Sequence, residues 1–370
     1  MPYPQFDRTK LKIKPLSMRK NKVRIERDHI PVTQKPGNTS EHFLKIVTET
    51  VERIRAAHEK KKPVMLTIGA HTIKNGMAPT LIKLMEDGWL THLATNGAGI
   101  IHDWEFAFQG ESSEDVRANV ERGEFGIWEE TGKYINLALV VGAFEGKGYG
   151  EAVGSMIENE GVQIPSREEI NKLVLSYESD GVERAAAALD LLQRIEEFDL
   201  KPGWLNIPFP YKKYCVQAAA YKLGIPFTGH PMIGHDIIYT HPMNHGAALG
   251  RAALRDFLTY ANAVNQLDGG VYMSVGSAVM SPMIFEKSLS MSQNLHIQQG
   301  SHIDNHYMLI VDLAKSTWDW QKNGEPPETD PAYYLRYLKT FNRMGGIMKY
   351  LSADNRDFLL AIYQRLSAGA

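Results

Sequence analysis

Most of the histidines beyond His58 stand beside glycines or acids, in short polar stretches that directly follow apolar runs. His71 lies in Gly69-Ala70-His71, His102 and Asp103 follow Asn96-Gly97-Ala98-Gly99, and His235 and Asp236 follow Gly234. His230, His235, His241 and His245 crowd into one segment, and His302, Asp304 and His306 alternate in another. Imidazoles and carboxylates grouped in this way can do two kinds of chemistry. They can exchange protons near neutral pH, where imidazole is half protonated, or they can ligate Zn²⁺ or another divalent ion. The spacings do not form a specific zinc motif such as H-E-x-x-H, so the metal and its ligands stay open. For acid–base work the candidates are His102, Asp103, His235 and Asp236, each in or beside a stretch expected to follow a strand.

The neighbouring glycines suggest a second role. A bound diphosphate must come close to backbone N–H groups and to a helix amino terminus, and a Cβ would obstruct it. Gly69-Ala70-His71, Thr95-Asn96-Gly97-Ala98-Gly99, Gly234 and Gly276-Ser277 supply such surfaces. The six-residue G-x-G-x-x-G fingerprint is absent, and glycines after strands also serve plain tight turns.

The elements that would position these residues can be read from the apolar runs. Val64–Ile68, bounded by Pro63 and Gly69, predicts a buried strand, followed by a helix from Ala78 to Asp87 that Gly88 stops. His92–Thr95 predicts a second strand, again followed by a helical run. Two strand–loop–helix units in succession predict a parallel sheet, with ligands at the carboxyl ends of its strands. The stretch from Ser113 to about Leu200 reads as mostly helical. The rhythm then returns with strands at Ile225–Thr228, Gly270–Val275 and Tyr307–Val311 and a helix over Ala247–Val264. The organisation expected is a basic N-terminal arm over 1–38, a Rossmann-like α/β domain over 39–325, and a helical extension over 326–370 whose two helices part near Ser352-Ala353-Asp354. The arm reads as a tail that packs on another subunit or stays mobile, because its basic residues lack interleaved aromatics.

Composition narrows the function. The 370 residues are 43% hydrophobic and 23% charged with a net charge of −2, proportions of a globular protein with no global pull toward nucleic acid or an acidic membrane. One cysteine, Cys215, precludes an intramolecular disulfide and fits a reducing compartment; it reads as a small buried apolar residue. No apolar run approaches the roughly 20 residues that cross a bilayer, and the amino terminus lacks the apolar core of a signal peptide. The expected location is the cytoplasm.

The segment Thr67-Ile68-Gly69-Ala70-His71-Thr72-Ile73-Lys74-Asn75-Gly76, with Ala94-Thr95-Asn96-Gly97-Ala98-Gly99-Ile100-Ile101-His102-Asp103 after the next helix, resembles the deoxyhypusine synthase family. The similarity continues at Ala220-Tyr221-Lys222-Leu223-Gly224-Ile225-Pro226, which leads to a loop with Gly234, and at Gly276, which stands where the family has a triple glycine. It runs loosely over residues 40–315 and strongly only in these loops. It implies a Rossmann-like sheet flanked by helices, bound NAD, a small-molecule amine such as a polyamine as substrate, and a homo-oligomer, a dimer or more usually a tetramer with active sites at a dimer interface. The sequence departs from the family at its centre: Ser281 occupies the place of the lysine that forms an imine with the aminobutyl group. A hydroxyl cannot form that imine. The family's Glu-Glu-Asp is here Ile101-His102-Asp103, and its later acidic loop has no counterpart around Lys315-Ser316-Thr317. The expectation is an NAD-dependent transferase or oxidoreductase acting on an amine, but not a standard deoxyhypusine synthase. A metal-dependent hydrolase or lyase, or a non-catalytic ligand-binding protein of the same fold, is the alternative.

Overall fold

Val64–Ile68 (β1) is buried at every position, as a strand covered on both faces must be. Five further strands join it: His92–Asn96 (β2), Phe227–His230 (β3), Val271–Val275 (β4), Tyr307–Asp312 (β5) and Ile347–Ser352 (β6). All neighbours are parallel and the order is β6-β5-β4-β1-β2-β3. The architecture is therefore Rossmann-like, as the strand–loop–helix rhythm predicts. The computed structural model that describes it covers residues 3–368.

The chain divides into two compact units. The sheet belongs to the unit made of residues 28–99, 222–230 and 257–370. Its helices include Glu41–Glu59 (α1), Ala70–Lys74 (α2), Ala78–Glu86 (α3), Met280–Gln298 (α7), Arg336–Asn342 (α8) and Asn355–Ser367 (α9). Three helices run from one unit's residues into the other's: Gly97–Gln109 (α4), Val216–Leu223 (α5) and Gly246–Asn265 (α6). Ser40 caps α1 by accepting a bond from the Phe43 N–H, and Phe43, Ile46, Val47, Val51 and Ile54 are the buried stripe of that helix. On the sheet, Tyr260, Val264, Tyr272, Phe285, Met308, Ile310 and Phe341 form one apolar cluster, in which the Tyr272 and Phe285 rings stack 4.2 Å apart.

The winding of this sheet reverses once. From β1 the chain moves outward through β2 to β3, then restarts at β4 on the other side of β1 and moves outward through β5 to β6. Loops leaving β1 and β4 must diverge, and a crevice opens at their carboxyl ends.

The first of the two terminal helices expected to part near Ser352-Ala353-Asp354 does not run that far: residues 347–352 are an edge strand, β6, paired with β5 from Ile347↔Tyr307 to Ser352↔Asp312. Gly345 and Gly346 both take positive φ (70° and 62°), which stops α8 and turns the chain into the sheet.

The second unit comprises residues 1–27, 100–221 and 231–256. It is helical over Glu129–Glu145, Tyr149–Asn159 and Val182–Glu197, with two antiparallel ribbons, Asn21–Arg24 with Glu111–Glu114 and Gly161–Ile164 with Gly203–Asn206. The N-terminal arm is no free tail: Asn21–Arg24 is a paired strand and Arg19 is buried within this unit. Among the described residues no helix is long and apolar enough to cross a membrane.

Candidate functional site

The crevice at the reversal point measures about 240 Å³ and is lined by His71, Asn75, Gly276, Asp312, Asp354 and Asn355 among others. All of these except Asn75, the C-cap of α2, come from a strand end or from the first residues beyond one. The Gly69 N–H donates to Val275 O (3.1 Å) and the Gly276 N–H to Val311 O (2.9 Å), so the loops leaving β1, β4 and β5 are tied in series. Gly69 has ordinary extended backbone (φ −80°, ψ 160°), yet a Cβ on it would sit 1.9 Å from Gly276 O. Close approach, not conformation, demands glycine there. Gly276 takes φ +60°, and a Cβ on it would face open space whose nearest atoms are Thr72 Oγ1 and Asn355 Nδ2, at 3.9 and 4.0 Å. We expect Gly69→Ala to cost about 2 kcal/mol, because the methyl group must push a backbone carbonyl aside; a urea midpoint equal to that of the parent chain would refute this.

Asn75 Nδ2 donates to Asn355 Oδ1 (3.2 Å) and Asn355 Nδ2 to Thr72 Oγ1 (3.3 Å), bracing α2 against α9. The side chain of Asp312, the last residue of β5, accepts a local bond from the Ala314 N–H (3.2 Å) and the residue is partly exposed, while its carbonyl accepts from the Ala353 N–H (3.0 Å). Asp354 pairs with Arg356 (2.8 Å). Burial and the charge of Lys74 push His71 below the ordinary imidazole value, so it is neutral at pH 7.

The other expected cradle residues behave differently. Thr95 is buried and donates to Ile68 O (3.0 Å). Asn96 accepts from the Gly99 N–H (3.0 Å) and α4 starts at Gly97, so Gly97, Ala98 and Gly99 form a helical turn capped by their own neighbour rather than an open loop. Gly99 is small because a Cβ would meet Thr95 Oγ1 at 2.1 Å. Ser277 is buried and accepts from the Ser281 N–H (3.2 Å) near the start of α7. Gly69 and Ala70 support the crevice without lining it. Gly234 lies in the helical unit, exposed, with φ +86°. Ser281, at the family's lysine position, is fully buried and bonds to the Tyr272 hydroxyl (2.6 Å).

In the helical unit the four acid–base candidates separate into two kinds. Asp103 is 0% exposed and receives four donors: Cys215 Sγ–H (3.0 Å), the N–H groups of Val216 and Gln217 (3.0 and 2.9 Å), and Gln217 Nε2 (3.1 Å). Burial outweighs these donors and leaves its carboxyl above the ordinary value. Expected as a catalytic carboxylate, Asp103 instead caps α5, with no face left for a substrate.

His102 is half-buried, and its Nδ1 lies 2.7 Å from Ser112 Oγ. Ser112 donates to Glu105 Oε2 (2.5 Å), and Thr131 donates to Glu105 Oε1 (3.1 Å). Arg19 meets both oxygens of the same carboxylate, Nη1–Oε1 at 2.7 Å and Nη2–Oε2 at 2.6 Å, with both side chains about 1% exposed. Burial would raise the Glu105 pKa, but the Arg19 guanidinium overcomes it and holds the carboxyl below its usual value.

Asp236 is mostly buried beside exposed His235. Its Oδ2 has no partner, and neither have the hydroxyls of Tyr149 and Tyr239, whose pKa values are raised by burial and then by the Asp236 charge. Burial pushes Asp236 itself up to about 6. One carboxylate oxygen and two neighbouring hydroxyls without partners are a set of acceptors suited to an ammonium group.

Five further histidines are occupied separately, whereas the ring nitrogens of buried His306 have no hydrogen-bond partner among the described residues. His92 and His230 share the Thr228 hydroxyl (3.0 and 2.9 Å), are buried, and titrate at about 3 because burial disfavours their charge. His241 faces Glu129 (3.2 Å), His245 faces Asp190 (3.8 Å) and His302 faces Asp304 (2.6 Å). Among the described residues no three His, Cys, Asp or Glu side chains are grouped to hold a metal ion, so the histidine clusters lend a metal-dependent reaction no support.

Sequence reading missed Asn75, Asp312, Asn355, Tyr149 and Tyr239. Only Asp312 carried a signal, an acid that ends an apolar strand run.

A parallel six-stranded sheet with one winding reversal and a crevice at that point defines the class of the protein as Rossmann-like. No protein-family profile matches the chain, and no curated protein is similar to it at a significant level. Among solved structures it is similar to AgrE in a ternary complex with ornithine and NAD⁺, with TM-score 0.44 and 14% identity over 90% of this chain and 34% of that one. It is also similar to apo ArgZ, an arginine dihydrolase from the ornithine–ammonia cycle in cyanobacteria (TM-score 0.41, 14% identity, 88% and 33% coverage). A third likeness is to a protein assigned to LOR/SDH from Methanococcus maripaludis S2 (TM-score 0.42, 12% identity, 90% and 70% coverage). The chain spans about a third of the length of AgrE and ArgZ. Likeness this distant says nothing of ligand or reaction.

Proposed function

We propose that the chain is an NAD-dependent enzyme acting on an amine, akin to deoxyhypusine synthase but without its lysine chemistry. The observation that carries the reading is the crevice at the winding reversal, where Gly69 and Gly276 bring two backbones into contact and Asp312 ends the next strand. The residues fit the cofactor. Gly276 leaves open the space a Cβ would fill, α7 begins just beyond it, and a carboxylate at the end of the strand beside the glycine turn is suited to accept bonds from ribose hydroxyls.

When bound, NAD accepts a hydride from the carbon next to an amine nitrogen. In the helical unit, Asp236, with the hydroxyls of Tyr149 and Tyr239, would hold an ammonium group, ionised and therefore effective above pH 6. His102 or His235 would take the proton. Ser281 supplies no amine and is sealed against Tyr272, so the oxidised substrate would pass to a second amine or to water rather than to a side chain. A homo-oligomer accompanies this reading.

Purified protein should shift its melting temperature with NAD and release the dinucleotide on denaturation, as read by mass spectrometry. Asp312→Ala should weaken NAD at least about tenfold, the loss of hydrogen bonds to a charged acceptor, and should narrow the preference for NAD over its 2′-phosphorylated form, which the carboxylate repels. Absence of any shift with NAD in the parent chain would remove the proposal. A binding isotherm for Asp312→Ala that matches the parent's would remove the role of Asp312.

A further inference from the structure

The hydrogen bonds beneath His102 fix where its protons can lie. Glu105 is anionic, held so by two contacts from the buried Arg19 guanidinium and a third donor in Thr131, and an ionised carboxylate can only accept. The single Ser112 hydroxyl proton must therefore go to Glu105 Oε2, 2.5 Å away. That leaves Ser112 Oγ as an acceptor toward His102, so the imidazole Nδ1 at 2.7 Å must carry a hydrogen.

We infer that Ser112 and Glu105, anchored by Arg19, are positioning residues that hold neutral His102 as its Nδ1–H tautomer and make Nε2 the nitrogen that gains and loses a proton. An unrestrained histidine side chain favours the opposite tautomer, with hydrogen on Nε2. The arrangement has the logic of the carboxylate behind the histidine of a catalytic triad, with a serine hydroxyl interposed and an arginine keeping the carboxylate charged. It also explains why Glu105 and Arg19 lie buried at a place where an apolar pair would pack as well. The inference deepens the proposed role of His102 as proton acceptor and rests on that reading only for its use, not for its geometry.

The test is nitrogen NMR on protein labelled with ¹⁵N-histidine, which reports each ring nitrogen as protonated or bare. The signal of His102 among the thirteen histidines is assigned by its disappearance in His102→Gln. In the parent chain, above the pH at which the ring loses its charge, Nδ1 should read as protonated and Nε2 as bare. Ser112→Ala should transfer the hydrogen to Nε2 in most molecules, and Ser112→Thr, which restores a hydroxyl, should return the parent pattern. A parent chain with hydrogen on Nε2, or a Ser112→Ala chain whose tautomer is unchanged, overturns the inference. The readout needs neither dinucleotide nor amine. Failure to bind NAD would remove the proposed function and leave the tautomer result standing, while a wrong tautomer would leave NAD binding untouched.

Discussion

Replacing Arg19 by Met is expected to destabilise the helical unit by about 3–5 kcal/mol, seen as a large fall in the urea midpoint. The side chain is about 1% exposed and meets both oxygens of Glu105, so its removal leaves a carboxylate buried with no countercharge. Ser112 and Thr131 would still donate, but two neutral hydroxyls do not replace a guanidinium. The double variant Arg19→Met/Glu105→Leu should recover most of the loss, since removing both charges also removes both desolvation costs. A double variant as unstable as the single would show that the arginine stem, not the charge pair, carries the energy. Acid should act in the same direction. The folded pKa of Glu105 lies below its unfolded value, so its contribution is fully present above about pH 4.5 and is lost as pH falls through the folded value. Glu105→Gln should flatten that acid limb.

How much of this was legible in sequence depends on how local each cause is. The runs at β1, β2, β4 and β5 announce themselves, because a strand buried on both faces must be continuously apolar and end at a breaker. β6, at the sheet edge, buries only Met348 and Leu351, three positions apart, and the half-exposed Lys349 and Tyr350 between them give its pattern the look of a helix. The loop read at Asn96–Gly99 is a helix start, and the cause is a single side chain: Asn96 satisfies the Gly99 N–H itself, so the chain needs no turn after β2. Gly69, Gly276 and His71 could be chosen as rim residues from strand order alone, whereas Asp312 and Asn355 reach the crevice only because β4 and β5 lie beside β1. The partners of His102 were out of reach for the same reason. Arg19 and Glu105 are separated by 86 positions, and nothing in the basic arm distinguishes the one arginine that folds inward.

Asp236→Asn is expected to make the chain more stable at pH 8, by about 3 kcal/mol, while it removes the carboxylate proposed to bind the amine. Folding buries Asp236 with Oδ2 unpartnered and raises its pKa to about 6, against an ordinary aspartate value of 3.8. A carboxyl raised in this way favours the folded chain most below the unfolded value, and that advantage is lost as pH rises from about 4 through about 6. Above pH 6 the folded chain bears the full cost of an ionised group in a poorly solvated hole. An amide of the same size never ionises, so the variant should track the parent at pH 3.5 and diverge upward until the difference levels off above pH 6. Urea midpoints at the two pH values measure this directly, and a variant less stable than the parent at pH 8 would mean that the carboxylate already has a cationic partner. The sign matters for function. A side chain whose charge weakens the fold wherever it is ionised fits the proposed role of binding a cation, and Tyr149 and Tyr239 are left equally unsatisfied beside it. Loss of amine binding in a chain made more stable by the change would separate that purpose from any structural one.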